Sequence, residues 1–213
     1  MVDALHGDSE ALLFLPGAGG DTTLWQPVSA GLSHTGRRQH FSWPGFAGAP
    51  ADPSVSGISE LVTRVVAEIT GPAVLFAQLM GGLIALRAAL MVPERIRALV
   101  LSVTSGGIDV RTLGALDWRP EFERHHPDAP RWFVDAQDDL APRLQQVSAP
   151  VLLLWAEDDP LSPVAVGRRL AELLPNAELV VVSGGTHDLV SERASEVLPH
   201  IERHLSCALQ RSD

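Results

Sequence analysis

The chain has 213 residues and a formal net charge of −10 at pH 7. This size suits one domain with a single large core, and the acidic balance argues against nucleic-acid binding, which depends on cationic contacts to phosphate. All 16 basic residues are arginine, which excludes a lysine-containing phosphate loop, a pyridoxal Schiff base and a lysine general base.

Cys207 is the only cysteine, which excludes an internal disulfide and a cysteine-based zinc cluster. No apolar run approaches the length of a bilayer span, so no membrane association is expected. Residues 1–10 carry acids and no basic leader, so we expect no signal peptide and a cytoplasmic location.

Short apolar runs alternate with longer amphipathic stretches, which predicts a parallel sheet joined by crossover helices. Strands are predicted at residues 11–15, 38–43, 73–78, 96–103, 151–155 and 179–182. Helices are predicted at residues 58–69, 81–91, 163–174 and 191–209. We therefore predict a single domain over residues 1–213, a three-layer α/β sandwich with a six-stranded parallel sheet. Too few residues precede Ala11 for an additional N-terminal hairpin.

Residues 105–147 depart from this alternation. They hold clustered prolines and charges, with two of the five tryptophans, Trp118 and Trp132. We predict a small lid over the carboxyl edge of the sheet, with Trp118 or Trp132 in the wall of a binding site. Trp25 and Phe133 are further candidates for an apolar or aromatic substrate pocket, and each of the four could instead belong to the core.

The segment Ala77-Gln78-Leu79-Met80-Gly81 connects a strand to a helix with almost no loop. Its small residues give room where backbone and sheet approach closely, and Leu79 projects above a helix N-terminus. The segment resembles the nucleophile elbow Gly-x-Ser-x-Gly of the α/β-hydrolase family, with Leu79 where the serine stands. The residues leave open whether Leu79 packs there by chance or replaces a serine, through evolution or by deliberate substitution.

Further motifs resemble that family in its own order. Residues 15–20 are similar to its oxyanion turn, with Pro16 where histidine is usual, so the resemblance implies an oxyanion hole formed by the amides of Ala18 and Met80. Residues 92–96 resemble the helix-to-strand passage of esterases and enol-lactonases.

Two late turns are similar to the family's acid and histidine loops. Residues 154–160 point to Asp159 as the acid, with Asp158 as the fallback, and residues 184–187 point to His187. Both turns follow predicted strands, at the edge where ligands bind in open α/β sheets. An acid that orients a histidine is part of an acyl-transfer triad.

The resemblance implies a carboxylic ester, lactone or thioester hydrolase acting through serine, histidine and aspartate. With Leu79 at the nucleophile position, the chain should be nearly inactive in that reaction. Two alternatives stay open: a lyase, decarboxylase or cofactor-free oxygenase that uses His187 without a nucleophile, and a non-catalytic ligand-binding protein. We expect a small apolar or aromatic ligand, no cofactor, no metal and a monomer or homodimer.

Overall fold

The structure is a computed structural model that describes residues 10–136 and 138–210. Within these residues, a single six-stranded sheet has the order β2-β1-β3-β4-β5-β6, and every neighbouring pair is parallel. This confirms the predicted parallel α/β fold. The expectations of no preceding hairpin and no signal peptide concern residues 1–9, which lie outside the described residues. The strands are β1 (Ala11–Leu15), β2 (Arg38–His40), β3 (Ala73–Gln78), β4 (Ile96–Ser102), β5 (Val151–Ala156) and β6 (Ala177–Val182).

Helices cover both faces of the sheet. They are α1 (Gln26–Gly31), α2 (Ile58–Glu68), α3 (Met80–Met91), α4 (Arg119–His125), α5 (Arg131–Asp135), α6 (Val164–Leu173), α7 (Leu189–Glu192) and α8 (Ala194–Leu209). The apolar faces of α2, α3 and α6 pack on one side, and those of α1, α7 and α8 on the other. Short 3-10 turns lie at Pro93–Arg95, Arg111–Leu113 and Ala141–Gln146. None of these helices, within the described ranges, has the length and apolar character needed to cross a membrane.

The sheet has a hydrophobic core on each face, and successive side chains of each inner strand pack alternately into the two cores. In β1, Leu13 and Leu15 join the core under α2 and α3, while Leu12 and Phe14 join the core under α1 and α8. Strands β3 and β5 are buried along their whole length, as parallel strands covered on both faces must be. Each fully buried leucine stabilises the fold by about 1.5–3 kcal/mol.

Three local predictions need correction. The strand predicted to reach Trp43 ends at His40, because its partner β1 ends at Leu15 and is followed by Pro16, which has no N–H for the ladder. Helix α1 was not predicted, since its six residues are too few to show a helical period. The closing helix predicted over residues 191–209 is two helices, α7 and α8, that meet at Arg193.

The strand order creates the place for a site. The chain leaves β1 towards β2 on one side and returns to β3 on the other, so the loops after β1 and β3 diverge and leave a crevice between them. Because all strands are parallel, the loops that follow β4, β5 and β6 reach the same carboxyl edge. Residues far apart in sequence can therefore meet there.

Candidate active site

Leu79 forms a sharp turn between β3 and α3. Its backbone has φ 50° and ψ −116°, a conformation that residues other than glycine adopt only under constraint. A Cβ on Gly81 would lie 2.6 Å from the carbonyl oxygen of Leu15 and 2.7 Å from that of Pro16. Glycine is therefore required at position 81 for the turn to approach β1, and the strained residue at its apex is a leucine.

His187 and Asp159 form a hydrogen-bonded pair. The imidazole Nδ1 of His187 lies 2.7 Å from Oδ2 of Asp159, and the other carboxylate oxygen accepts the N–H of Leu161 at 2.9 Å. The Asp159 side chain is fully buried, whereas that of His187 is 22% exposed. An acid placed in this way holds one ring nitrogen and leaves Nε2 available to exchange a proton. Asp158, the fallback acid, is exposed.

Two backbone amides, those of Ala18 and Met80, lie in the turn after β1 and at the start of α3. Within residues 10–136 and 138–210, neither the Ala18 N–H nor the Met80 N–H donates a backbone hydrogen bond. A Cβ on Gly17 would lie 3.1 Å from Cβ and 3.2 Å from Cδ2 of Leu79. The leucine side chain therefore lies against the turn that carries the Ala18 amide.

A cavity of about 250 Å³ connects these groups. Ligand pockets commonly measure about 300–1,000 Å³, so this cavity suits a compact ligand or one that extends from its mouth. Loops that follow β1, β3, β5 and β6 contribute to it, together with residues from the 105–147 segment. The lining residues are Ala18, Gly19, Leu79, Trp118, Glu121, Phe122, His125, His126, Leu161 and His187.

The aromatic wall of the cavity is built on Trp118. Its ring stacks on Phe133 at 4.9 Å and meets the edge of Phe122 at 5.5 Å. Of the aromatic residues predicted to bind substrate, Trp118 lines the cavity. Phe133 is buried behind it, and Trp132 packs edge-on against Phe46 at 5.8 Å, so both support the wall without lining the cavity.

Trp25 does not belong to the site, and its assignment to the substrate pocket was wrong. It is buried in the core on the opposite face of the sheet, with Phe14 and Phe76. Its indole N–H donates to the carbonyl of Leu15 at 3.3 Å. The physical reason is that Trp25 is the N-cap residue of α1, the helix that carries the chain from the turn after β1 to that other face.

The cavity residues that sequence reasoning missed belong mainly to α4. Glu121, Phe122 and His125 share one face of this helix with the preceding Trp118, at the three- and four-residue spacing of helical neighbours. That spacing, together with Pro120 in the first turn, was the sequence signal from which this helix and its cavity-facing side could have been predicted. Among the described residues, no three His, Cys, Asp or Glu side chains are placed to hold a metal ion.

A family profile described as "Alpha/beta hydrolase family" matches residues 12–142, which is more than half of the chain. The chain belongs to the alpha/beta hydrolase family. A second profile, "alpha/beta hydrolase fold", matches residues 109–194. Together the two profiles span residues 12–194, which include the elbow, the aromatic wall and the His187 loop.

Esterases are among the named relatives and solved structures that this chain resembles. It is 25% identical to a pimeloyl-[acyl-carrier protein] methyl ester esterase of Aliivibrio fischeri, over 85% of this chain and 88% of the relative. A thermophilic esterase from Thermogutta terrifontis, solved with malate bound, superposes with a TM-score of 0.77 at 21% identity, covering 93% of this chain and 90% of that one. A shorter match, 40% identical over 50 residues, is to a 2-hydroxy-6-oxononadienedioate/2-hydroxy-6-oxononatrienedioate hydrolase of Paraburkholderia xenovorans, covering 24% of this chain and 17% of the relative.

Proposed function

We propose that this protein has the site of a carboxylic ester, lactone or thioester hydrolase, and that Leu79 removes the covalent step and leaves it nearly inactive. One observation carries the proposal. His187, held by Asp159 through a 2.7 Å hydrogen bond, lines the same cavity as the strained residue at position 79. A small ester-type molecule with an apolar or aromatic group would bind against Trp118.

The expected chemistry is that of a serine at position 79. Its Oγ would attack the acyl carbon while Nε2 of His187 takes its proton, and the amides of Ala18 and Met80 would donate to the oxyanion. His187 would then protonate the leaving oxygen or sulfur, and water would release the acid by the same proton transfers in the second half. Asp159 would hold the imidazole in the required tautomer throughout.

Leucine cannot act as this nucleophile, and it also occupies space beside the turn. In a well-studied protease, loss of the serine costs about 10⁶-fold in turnover and leaves about 10³-fold over water. Here the Leu79 side chain also contacts the Gly17 turn, where an acyl oxygen would need to enter. We therefore infer that the chain retains binding better than turnover.

A second candidate function is supported by the retained pair itself. His187 is held by an acid although position 79 carries no nucleophile for it to activate, and a histidine in an apolar cavity can move protons in decarboxylation, C–C cleavage or cofactor-free oxygenation. Under this candidate, Leu79→Ala keeps the activity and His187→Ala abolishes it. If the site only binds ligand, both variants change affinity and neither changes a rate.

The test of the first candidate is the Leu79→Ser variant. We expect hydrolysis of p-nitrophenyl acetate to rise at least about 10³-fold over the parent, because the other parts of the site are in place. The substrates tested should also include a methyl ester of a dicarboxylic acyl chain, since the Aliivibrio fischeri relative is named for such a substrate.

Two controls separate this gain from nonspecific reactivity. Leu79→Ser combined with His187→Ala should return to the rate of the parent. Leu116→Ser places a serine at an exposed leucine outside the cavity and should gain nothing. A folded Leu79→Ser variant that hydrolyses no ester, thioester or lactone would contradict the proposal.

A further inference from the structure

Both backbone polar groups of Leu79 are bonded to the segment that follows β4. The N–H of Leu79 donates to the carbonyl of Ser102 at 3.2 Å, and the hydroxyl of Thr104 donates to the carbonyl of Leu79. The same hydroxyl accepts the N–H of Gly106 at 3.0 Å. Thr104 is completely buried, so its hydroxyl has both a donor and an acceptor and no contact with solvent.

The residue between these two contacts is itself strained. Val103 has φ 39°, a positive value that a β-branched side chain rarely adopts. It is fully buried, and its N–H donates to the carbonyl of Leu154 at 3.2 Å. The unusual turn at Val103 directs the Ser102 carbonyl and the Thr104 hydroxyl to the same residue, Leu79. Strained backbone persists only where surrounding contacts hold it.

Thr104 also packs against the first turn of α3. A Cβ on Gly82 would lie 2.4 Å from Oγ1 and 2.6 Å from Cβ of Thr104, so this approach requires glycine at position 82. The N–H of Gly82 donates to the Leu79 carbonyl at 3.1 Å, the oxygen that Thr104 also bonds. Thr104 therefore contacts the elbow residue and the start of the helix at once.

We propose that Thr104 is a positioning residue for the elbow. Its hydroxyl fixes the carbonyl of residue 79, and with it the orientation of the 79–80 peptide, whose N–H belongs to Met80. The direction of the Met80 amide and the projection of side chain 79 towards His187 both depend on that peptide. The structural role holds for the chain with Leu79, and its kinetic consequence rests on the proposed function.

The first test uses the chain with Leu79 and needs no activity. Hydrogen exchange measured by NMR at the Leu79 and Gly82 amides should be at least about 10-fold faster in Thr104→Val than in the parent, because valine keeps the shape and removes the hydroxyl. Amides of β5 should exchange as in the parent. Thr104→Ser, which restores the hydroxyl, should be close to the parent at all of these positions.

A matched control is Thr63→Val on α2, where an exposed threonine hydroxyl donates to the Ser59 carbonyl at 3.0 Å. It should leave exchange at Leu79 and Gly82 unchanged. Should Thr104→Val not fold, Thr104→Ala also removes the hydroxyl and gives the same comparison. Equal exchange in the parent and the hydroxyl-free variant, or equal acceleration in Thr104→Ser, would overturn the proposal.

The second test adds these substitutions to Leu79→Ser. Thr104→Val should lower kcat by about 10- to 100-fold, because a misdirected oxyanion donor costs transition-state stabilisation, while KM changes by less than about 3-fold. Thr104→Ser should restore most of kcat. An unchanged kcat, or a loss that serine does not reverse, would overturn the kinetic role. If Leu79→Ser itself is inactive, the proposed function fails and the exchange measurement alone decides the role of Thr104.

Discussion

The two edges of the sheet each carry a cavity with a histidine, and only one resembles an active site. At the amino edge, a cavity of about 350 Å³ is lined by His204 and Cys207 of α8 and by the ends of β5 and β6. At the carboxyl edge, the cavity beside His187 is smaller, about 250 Å³. The size of a cavity and the presence of a histidine therefore do not identify which of the two is the candidate active site.

The difference lies in what holds each imidazole. His187 is bonded to the buried carboxylate of Asp159. His204 is 8% exposed, and within the described residues its Nε2 is buried without a hydrogen-bond partner. Burial lowers the pKa of His204, which favours its neutral form. A histidine becomes a candidate catalyst through an oriented partner and a candidate reacting position opposite it. Of these two cavities, as the described residues form them, the one at the carboxyl edge has both.

The largest expected effect is on kcat, and it is measured in the Leu79→Ser variant because the parent is expected to be nearly inactive. Asp159→Asn should lower kcat by about 10⁴-fold, because asparagine no longer holds the required tautomer of His187. His204→Leu at the opposite edge should change kcat by less than about 3-fold. Stopped-flow or steady-state ester hydrolysis measures both, and a comparable loss in the two variants would remove the distinction between the edges.

A smaller effect is expected on the free energy of unfolding, and it should differ between two glycines at the carboxyl edge. Gly81→Ala should lower the free energy of unfolding by about 3 kcal/mol, since its Cβ would overlap backbone oxygens at 2.6 and 2.7 Å, which cannot rotate away. Gly19→Ala, where a Cβ meets nothing within 4 Å, should stay within about 0.5 kcal/mol of the parent. Urea unfolding gives both values, and equal stabilities would show that the elbow does not need its close approach to β1.

The smallest effect concerns pH at the amino edge. The lowered pKa of His204 means that, as pH falls below about 6.5, the unfolded chain gains a proton that the folded chain does not, so stability is lost. Burial dominates this lowering of the pKa. Nearby Glu178 and the backbone groups of Leu99 and Pro150 oppose it, and Arg203 adds to it. His204→Leu should reduce the loss of unfolding free energy between pH 7.5 and 5.5, by up to about 1.4 kcal/mol per pH unit.

Urea unfolding of the parent and the variant at both pH values measures this difference. Burial also lowers the pKa of His40, so the parent slope has a second source, and the difference between the two proteins isolates His204. Identical pH dependence in the two would contradict a neutral, buried His204.

The sequence predicted the fold well because apolar runs at central strands have few alternatives. All six residues of β3 and of β5 are buried, and such uninterrupted apolar runs are typical of parallel strands covered on both faces. Edge and short elements were predicted less well. The bounds of β2 depend on where its partner β1 ends, and α1 is too short to show a period, so neither can be read from local pattern.

The candidate site could be located in the sequence where a backbone constraint determines the residue type. Gly81 marks the elbow because only glycine fits against β1, and the Gly184–Gly185 pair marks the loop before His187. Aromatic residues carry no such mark, because a tryptophan serves a core and a pocket equally well. Trp118 and Trp25 look alike in the sequence, and only the path of the chain after β1 sends Trp25 to the opposite face.

The most direct test of the poised pair around position 79 is covalent labelling of Leu79→Ser by a fluorophosphonate, read by intact mass and peptide mapping. Labelling needs an activated serine, a histidine to take its proton and amides to hold the phosphoryl oxygen, and it needs no knowledge of the substrate. We predict one adduct per chain, located at residue 79 and lost when His187→Ala is added. A folded Leu79→Ser protein that takes up no label, or that is labelled equally without His187, would contradict the account.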